Sequence, residues 1–389
     1  MEMEAFSLLV LSLIAGAYIL FIRLLGVIPS TSFFNVEIFK TKPDIREGFF
    51  DLAKGLAIIA VVVIHAVLLL NYFSDDLSVD YLAWSEHINR LVRFAIPVFF
   101  ICSGALLFLE DTGKTSLKRF YFPKVKRLVI PYVIFSVFAT FAFSQEPGGF
   151  ADRTIQALSD LFTGGALAPY WFIPVLFQLY LLYPILWYIL VVKKMDSAKF
   201  LAGSFVISLL SYFLFTSYWF NLHGYMGDLV FFGPYLFFFA FGMVFKPLFF
   251  SGAERVRDWM SETGFLYFAS VILFVYFLIG AIDPLTHYYN VRLIYGPTMI
   301  LIILYIYPLL KNGKIGTLIE RVGAQSLYIY LLHFILLLAM SPFVEAILIE
   351  GVDPFITLIL VIVINLSMTC GAIYLARKMI EAAGIKTAK

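Results

Sequence analysis

Lys54 and His65 enclose an uncharged run, KGLAIIAVVVIH, whose ten intervening residues are all Gly, Ala, Val, Leu or Ile. An ionisable imidazole is costly in lipid, so His65 is expected to face a bundle interior or cavity and to do chemistry there. Eleven residues of helix make about three turns, or about 1100° of rotation, which puts the two side chains on one face roughly 16 Å apart. Asp51 falls one turn before Lys54, near that face. A cation at the membrane surface is thus in line with a base near the midplane. A buried imidazole is neutral and can accept a proton as a general base. The bland alternative for His65 is a packing histidine bonded to a neighbouring carbonyl, which would not need Lys54 in register.

The elements that must hold these residues are membrane helices. Of 389 residues 62% are hydrophobic and only 14% charged, and the mean hydropathy is +0.92; a water-facing surface needs far more charge. Both cysteines, Cys102 and Cys370, lie in apolar runs, which argues against a disulfide framework. Runs near the roughly 20 residues that cross the hydrocarbon occur at about 5–28, 49–72, 91–109, 128–145, 169–192, 200–219, 229–248, 264–283, 293–310, 326–348 and 355–376. The expected fold is therefore all-α, a polytopic integral membrane helical bundle. With the Lys54 end of the second span in the cytoplasm, 24 of the 28 Lys and Arg fall inside, and only Arg90, Arg93, Arg153 and Arg292 fall outside. The positive-inside rule then puts the N-terminus outside and the C-terminus in the cytoplasm. The first span has an acidic n-region and a run too long for a signal peptide, so it is expected to be a retained anchor. The outside loop at about 145–168 is expected to hold a short surface helix.

Five strings follow one another along the chain: REGFFDLAKGLAIIAVVVIH, IPVFFICSGALLF, KVKRLVIPYVIFS, YWFIPVLFQLYLLYPIL and GAQSLYIYLLH. Together they resemble the membrane-bound acyltransferase 3 family over about residues 46–376. The resemblance implies 46–376 as a ten-helix acyltransferase domain; outside it, residues 1–45 are expected as an N-terminal anchor and linker and 377–389 as a cytoplasmic tail. It implies a multi-pass enzyme of the cell (plasma) membrane that moves an acyl group, often acetyl, from cytoplasmic acyl-CoA to a hydroxyl of a cell-surface or lipid-linked glycan. Residue by residue, His65 matches the family's essential histidine, Lys54 the basic residue ten before it and Asp51 the acid of a D-x-x-R element. Ser103 and Gly104 match F-F-x-x-S-G, Lys124 and Arg127 match R-x-x-R ahead of Pro131, and Ser326, Tyr330 and His333 match S-x-x-x-Y-x-x-H. Lys replaces the commoner Arg at 54 and 124, and Lys lacks the bidentate phosphate contact.

Several of these residues keep two readings. His333, roughly 10 Å into its span, is either a second proton handler or an interhelical hydrogen bonder. Lys124 and Arg127 are expected on one helical face, holding the phosphates of acyl-CoA or merely obeying the topology rule. Ser103 and Gly104 mark either close helix packing or a passage for a pantetheine arm. Trp171, with Tyr330 and Ser326, is a candidate for the acceptor side, although aromatics at such depths also anchor interfaces. No metal and no nucleic acid are expected, and the partners are acyl-CoA, the sugar acceptor and membrane lipid. The rival class is a small-metabolite transporter with a midplane histidine, against which the absence of paired repeat halves counts.

Overall fold

The computed structural model describes residues 43–73, 79–110, 117–143, 149–216, 230–246 and 288–382. The expected spans at 5–28 and 264–283, and with them most of the anchor, lie outside the described residues, as does the end of the tail. Within them every regular element is a helix. In chain order these are α1 (Pro43–Tyr72), α2 (Val79–Val92), α3 (Ala95–Glu110), α4 (Leu117–Lys124), α5 (Ile130–Phe143), α6 (Phe150–Thr163), α7 (Phe172–Trp187), α8 (Ser197–Thr216), α9 (Leu236–Lys246), α10 (Tyr288–Leu310), α11 (Lys314–Ala324), α12 (Ser326–Ile349) and α13 (Pro354–Ala382). Among the described residues seven helical stretches are long and apolar enough to cross a membrane, and two shorter apolar helices lie at Ser197–Tyr212 and Gly233–Phe245. Each coincides with one of the expected spans, and the protein is a polytopic helical bundle.

Local chemistry sets the ends. Gly351, at φ 79°, follows α12 in the left-handed conformation that a Cβ disfavours. Two residues on, the Asp353 carboxylate accepts from the Phe355 and Ile356 amides at 2.9 and 3.2 Å and opens α13. Asp196 does the same for α8 through Ala198 and Lys199. Between α4 and α5 the chain widens into a π turn, Val125–Val129, where the Ile130 amide bonds to the Val125 carbonyl. The cause is Pro131, which has no N–H and whose ring crowds the carbonyl four residues back.

The chain divides into two compact units, one of Pro97–Tyr121 and Pro174–Leu309 with the start of α1, the other of Phe50–Ile96, Phe122–Ile173 and Leu310–Lys389. In the first, α3 and α9 meet backbone to backbone, since a Cβ on Gly104 would strike the Phe239 carbonyl and one on Gly242 the Ile101 carbonyl. Ser208 ties α8 to α9, donating to the Gly233 carbonyl and accepting from the Phe237 amide, both at 2.9 Å.

The second unit has an apolar half and a polar half. Ala66, Val67 and Leu70 of α1, Tyr81 of α2, Leu337, Met340, Val344 and Leu348 of α12, and Leu358 and Val361 of α13 form one buried cluster. At the other end α1 crosses α11, where a Cβ on Gly323 would collide with the Asp51 carbonyl and one on Gly55 with the Ile319 carbonyl. The loop at 145–168 does hold a helix, α6, yet α6 does not lie flat on a surface. Arg153 donates to the Phe141 carbonyl at 3.3 Å and the Tyr132 hydroxyl to the Asp160 and Leu161 carbonyls at 3.1 and 3.2 Å. Those contacts span nine residues of α5, or about 13 Å, so α6 runs back antiparallel to α5. Its one buried acid, Asp160, accepts from Thr140 at 2.7 Å, while Ile155, Leu158 and Phe162 face outward.

Candidate functional site: a histidine pair under a backbone strap

His65 of α1 and His333 of α12, 268 residues apart in sequence, come together with Nδ1 of the first 3.2 Å from Nε2 of the second. Their ring centroids are 5.1 Å apart. Both sit at the inner edge of the apolar cluster, one turn or less from Ala66 and Leu337. The network assigns the protons. His333 Nδ1 lies 2.7 Å from the Tyr330 carbonyl and 3.1 Å from that of Ile329, and a carbonyl only accepts, so Nδ1 carries the hydrogen. With the ring neutral, its Nε2 holds a lone pair facing His65. His65 Nδ1, which also reaches the Val61 carbonyl at 2.8 Å, is then the donor to both. The remaining nitrogen, His65 Nε2, is left as an unprotonated lone pair on the far edge of the ring, the form a general base needs.

Three elements fix this pair. Ser326, Tyr330 and His333 share one face of α12 at helical spacing, and all three are buried. On α13, Asn365 is fully buried and donates from Nδ2 to the His333 carbonyl at 2.9 Å. The third element is the strap from Gly164 to Trp171, which follows α6. Gly164 (φ 74°) packs without a Cβ against the backbone of Trp171, and the strap is then stitched to α12 from both sides. The Tyr170 hydroxyl donates to the Leu331 carbonyl at 2.6 Å, and the Tyr330 hydroxyl donates to the Pro169 carbonyl. Burial, and secondarily Tyr132 nearby, pushes the Tyr170 phenol up from its ordinary value of 10.0, so it stays a donor through neutral pH.

The other candidates are placed as follows. Lys54 pairs with Asp51 at 2.7 Å, both partly open to solvent at 22% and 29% exposure. Around them the structure adds Glu320 of α11, whose carboxyl is raised by burial and then by Asp51. Lys124 is half-buried and Arg127 exposed; they flank and enter the π turn, so the α-helical face-sharing expected from their spacing is replaced by a wider turn. Gly104 packs on α9 as described, with Ser103 half-buried beside it, both in the first unit. Trp171 is half-buried and its ring meets Phe172 at 6.4 Å. Among the described residues no three His, Cys, Asp or Glu side chains converge as a metal site.

The acyltransferase 3 family model, whose description is acyltransferase domain, matches residues 47–377. The chain belongs to the acyltransferase 3 family. It is thus a membrane acyltransferase, and the transporter alternative falls away. No curated protein and no solved structure matches it. In this acyltransferase the sequence alone pointed to His65 and His333 separately but gave no sign that they touch. It missed Asn365, Tyr170 and Glu320: one Asn in an apolar helix, or one Tyr among 23, carries no motif, and only a polar residue interrupting α13 hinted at a role.

Proposed function

We propose that this acyltransferase moves an acyl group, acetyl foremost, from cytoplasmic acyl-CoA to a hydroxyl of a cell-surface or lipid-linked glycan at the plasma membrane. The observation that carries the reading is the hydrogen-bonded pair of His65 and His333, which leaves His65 Nε2 free. His65 takes the proton of the acceptor hydroxyl as its oxygen attacks the thioester carbonyl. The C–O bond forms, the C–S bond breaks, and the CoA thiolate leaves with the proton that His65 had taken. His333 is the positioning residue, because its Nε2 accepts from the imidazolium that forms and holds its ring in place.

Lys54, held by Asp51, together with Lys124 and Arg127, meets the anionic phosphates of CoA on the cytoplasmic side. Trp171, Tyr330 and Ser326 serve the acceptor side, where the half-buried indole of Trp171 offers a face for a sugar ring. The charge distribution supports a C-terminus in the cytoplasm and an N-terminus outside.

Radiolabelled acetyl-CoA supplied to the purified protein with a glycan acceptor tests the reading. Release of free CoA together with label on the acceptor is expected, and a protein that releases no CoA from any acyl-CoA overturns it. Lys54→Ala and Arg127→Ala should each raise the KM for acyl-CoA, by an amount equivalent to about 1–3 kcal/mol of charge-assisted bonding. Unchanged KM in both variants moves the donor site elsewhere.

A further inference from the structure

α11 carries two faces that the acyl-transfer chemistry does not use. At about 100° per residue, Gly316, Ile319, Glu320 and Gly323 fall on one side, and Lys314, Ile315, Leu318 and Arg321 fall within about 120° of arc on the other. The first side is docked: Gly316 lies against the Leu310 carbonyl, and Gly323 against the Asp51 carbonyl and the Gly55 amide. The second side is open. Lys314 and Arg321 are exposed, as is Lys311 just before the helix, and between them Ile315 and Leu318 are 69% and 61% exposed.

Exposed branched apolar side chains flanked by cations, with no acid on the same arc, are the pattern of a helix lying in a membrane interface. The apolar pair sinks below the headgroups and the long basic side chains reach the phosphates. Each Lys or Arg near an anionic leaflet adds to the attraction, which falls off within a Debye length of the surface. A soluble polyanion such as CoA would match the cations but leave Ile315 and Leu318 in water. The helix is also coupled to chemistry, since the backbone of Gly323 touches the turn of α1 that holds Asp51 and Lys54.

We infer that the outer face of α11 is a docking surface for anionic phospholipid of the leaflet it faces, and that this seating holds the Asp51–Lys54 turn in register for the donor. The second half of the inference rests on the donor role proposed for Lys54; the first half does not. The test uses the full-length protein in nanodiscs of phosphatidylcholine alone or mixed with phosphatidylglycerol. A bimane label on Leu318→Cys, in a Cys102→Ala, Cys370→Ala background, should be quenched by brominated acyl chains, which needs no turnover. With the unlabelled protein, phosphatidylglycerol should lower the KM for acyl-CoA by roughly threefold or more, and Lys314→Ala/Arg321→Ala should erase that dependence while leaving activity in phosphatidylcholine unchanged.

A label that brominated lipid does not quench overturns the lipid surface, whether it reports water or the shielded environment of a protein partner. Quenching with no effect of phosphatidylglycerol on KM overturns the anionic coupling. Either result leaves acyl transfer itself standing, whereas failure of transfer in every lipid would strike the proposed reaction and not the docking.

Discussion

At the scale of single residues, His65 and Asn365 make opposite predictions about what a substitution removes. His65→Gln keeps a hydrogen-bonding side chain in α1 but cannot take a proton at neutral pH, so transfer should fall by about 10²–10⁴, the usual worth of general base catalysis. A packing histidine would be largely rescued by Gln, so substantial transfer by a well-expressed His65→Gln protein would refute the mechanism. Asn365 acts through another group. Its Nδ2 faces the His333 carbonyl, which fixes the orientation of the amide, and its buried Oδ1 has no hydrogen-bond partner among the described residues. A position shaped only for stability would shed that unsatisfied acceptor, which costs about 1–3 kcal/mol. Asn365→Leu should therefore fold at least as well as the parent, yet lower kcat about 10–100-fold with the KM for acyl-CoA unchanged, because the turn of α12 that carries the His333 ring loses its tie to α13. Wild-type kcat in Asn365→Leu would show the contact to be incidental. The Lys54–His65 register was legible because both lie on one helix, where spacing fixes angle. The His65–His333 contact was not, because pairing between helices depends on tertiary packing that no local spacing encodes.

At the scale of elements, two segments were not placed by the sequence, and for the same reason. α6 and α11 are amphipathic and too polar to be spans; the first was expected as a short surface helix in the outside loop, and no element was expected at the second. What places them is contact chemistry: the buried Asp160 finds Thr140 on α5, and the glycines of α11 admit the backbone of α1. The strap after α6 depends on this. Tyr170→Phe leaves the buried Leu331 carbonyl without its side-chain donor, which should destabilise the strap by about 1–3 kcal/mol, read as faster proteolysis between α6 and α7 than in the parent. Equal proteolysis would mean that the Tyr330 bond to Pro169 suffices. Gly323→Val, which drives a branched side chain into the Asp51 carbonyl, should cost about 1–3 kcal/mol as overpacking and raise the KM for acyl-CoA, since the displaced turn carries Lys54. A Gly323→Val protein with the parent's thermal stability and KM would show that α11 is not fixed there.

At the scale of the whole molecule, the spans were legible because a bilayer demands long apolar helices and forbids most alternatives. Nine of the expected runs correspond to described apolar helices, and the family match covers them together. Their boundaries were less legible: α1 begins at Pro43 and α13 continues to Ala382, because a helix does not stop where the hydrocarbon does, and charged turns extend it into the headgroups. Orientation is a separate matter, set during insertion by the distribution of Lys and Arg. Met195, in the turn between α7 and α8, and Glu350, at the end of α12, are both exposed and lie at opposite ends of the expected topology. In the Cys102→Ala, Cys370→Ala background, Met195→Cys should react with an impermeant maleimide only after the membrane is opened, and Glu350→Cys should react in intact cells. Reversed accessibility would move Lys54, Lys124 and Arg127 to the outer face, beyond the reach of cytoplasmic acyl-CoA. The histidine pair would keep its geometry, but the direction in which the acyl group travels would have to be inverted.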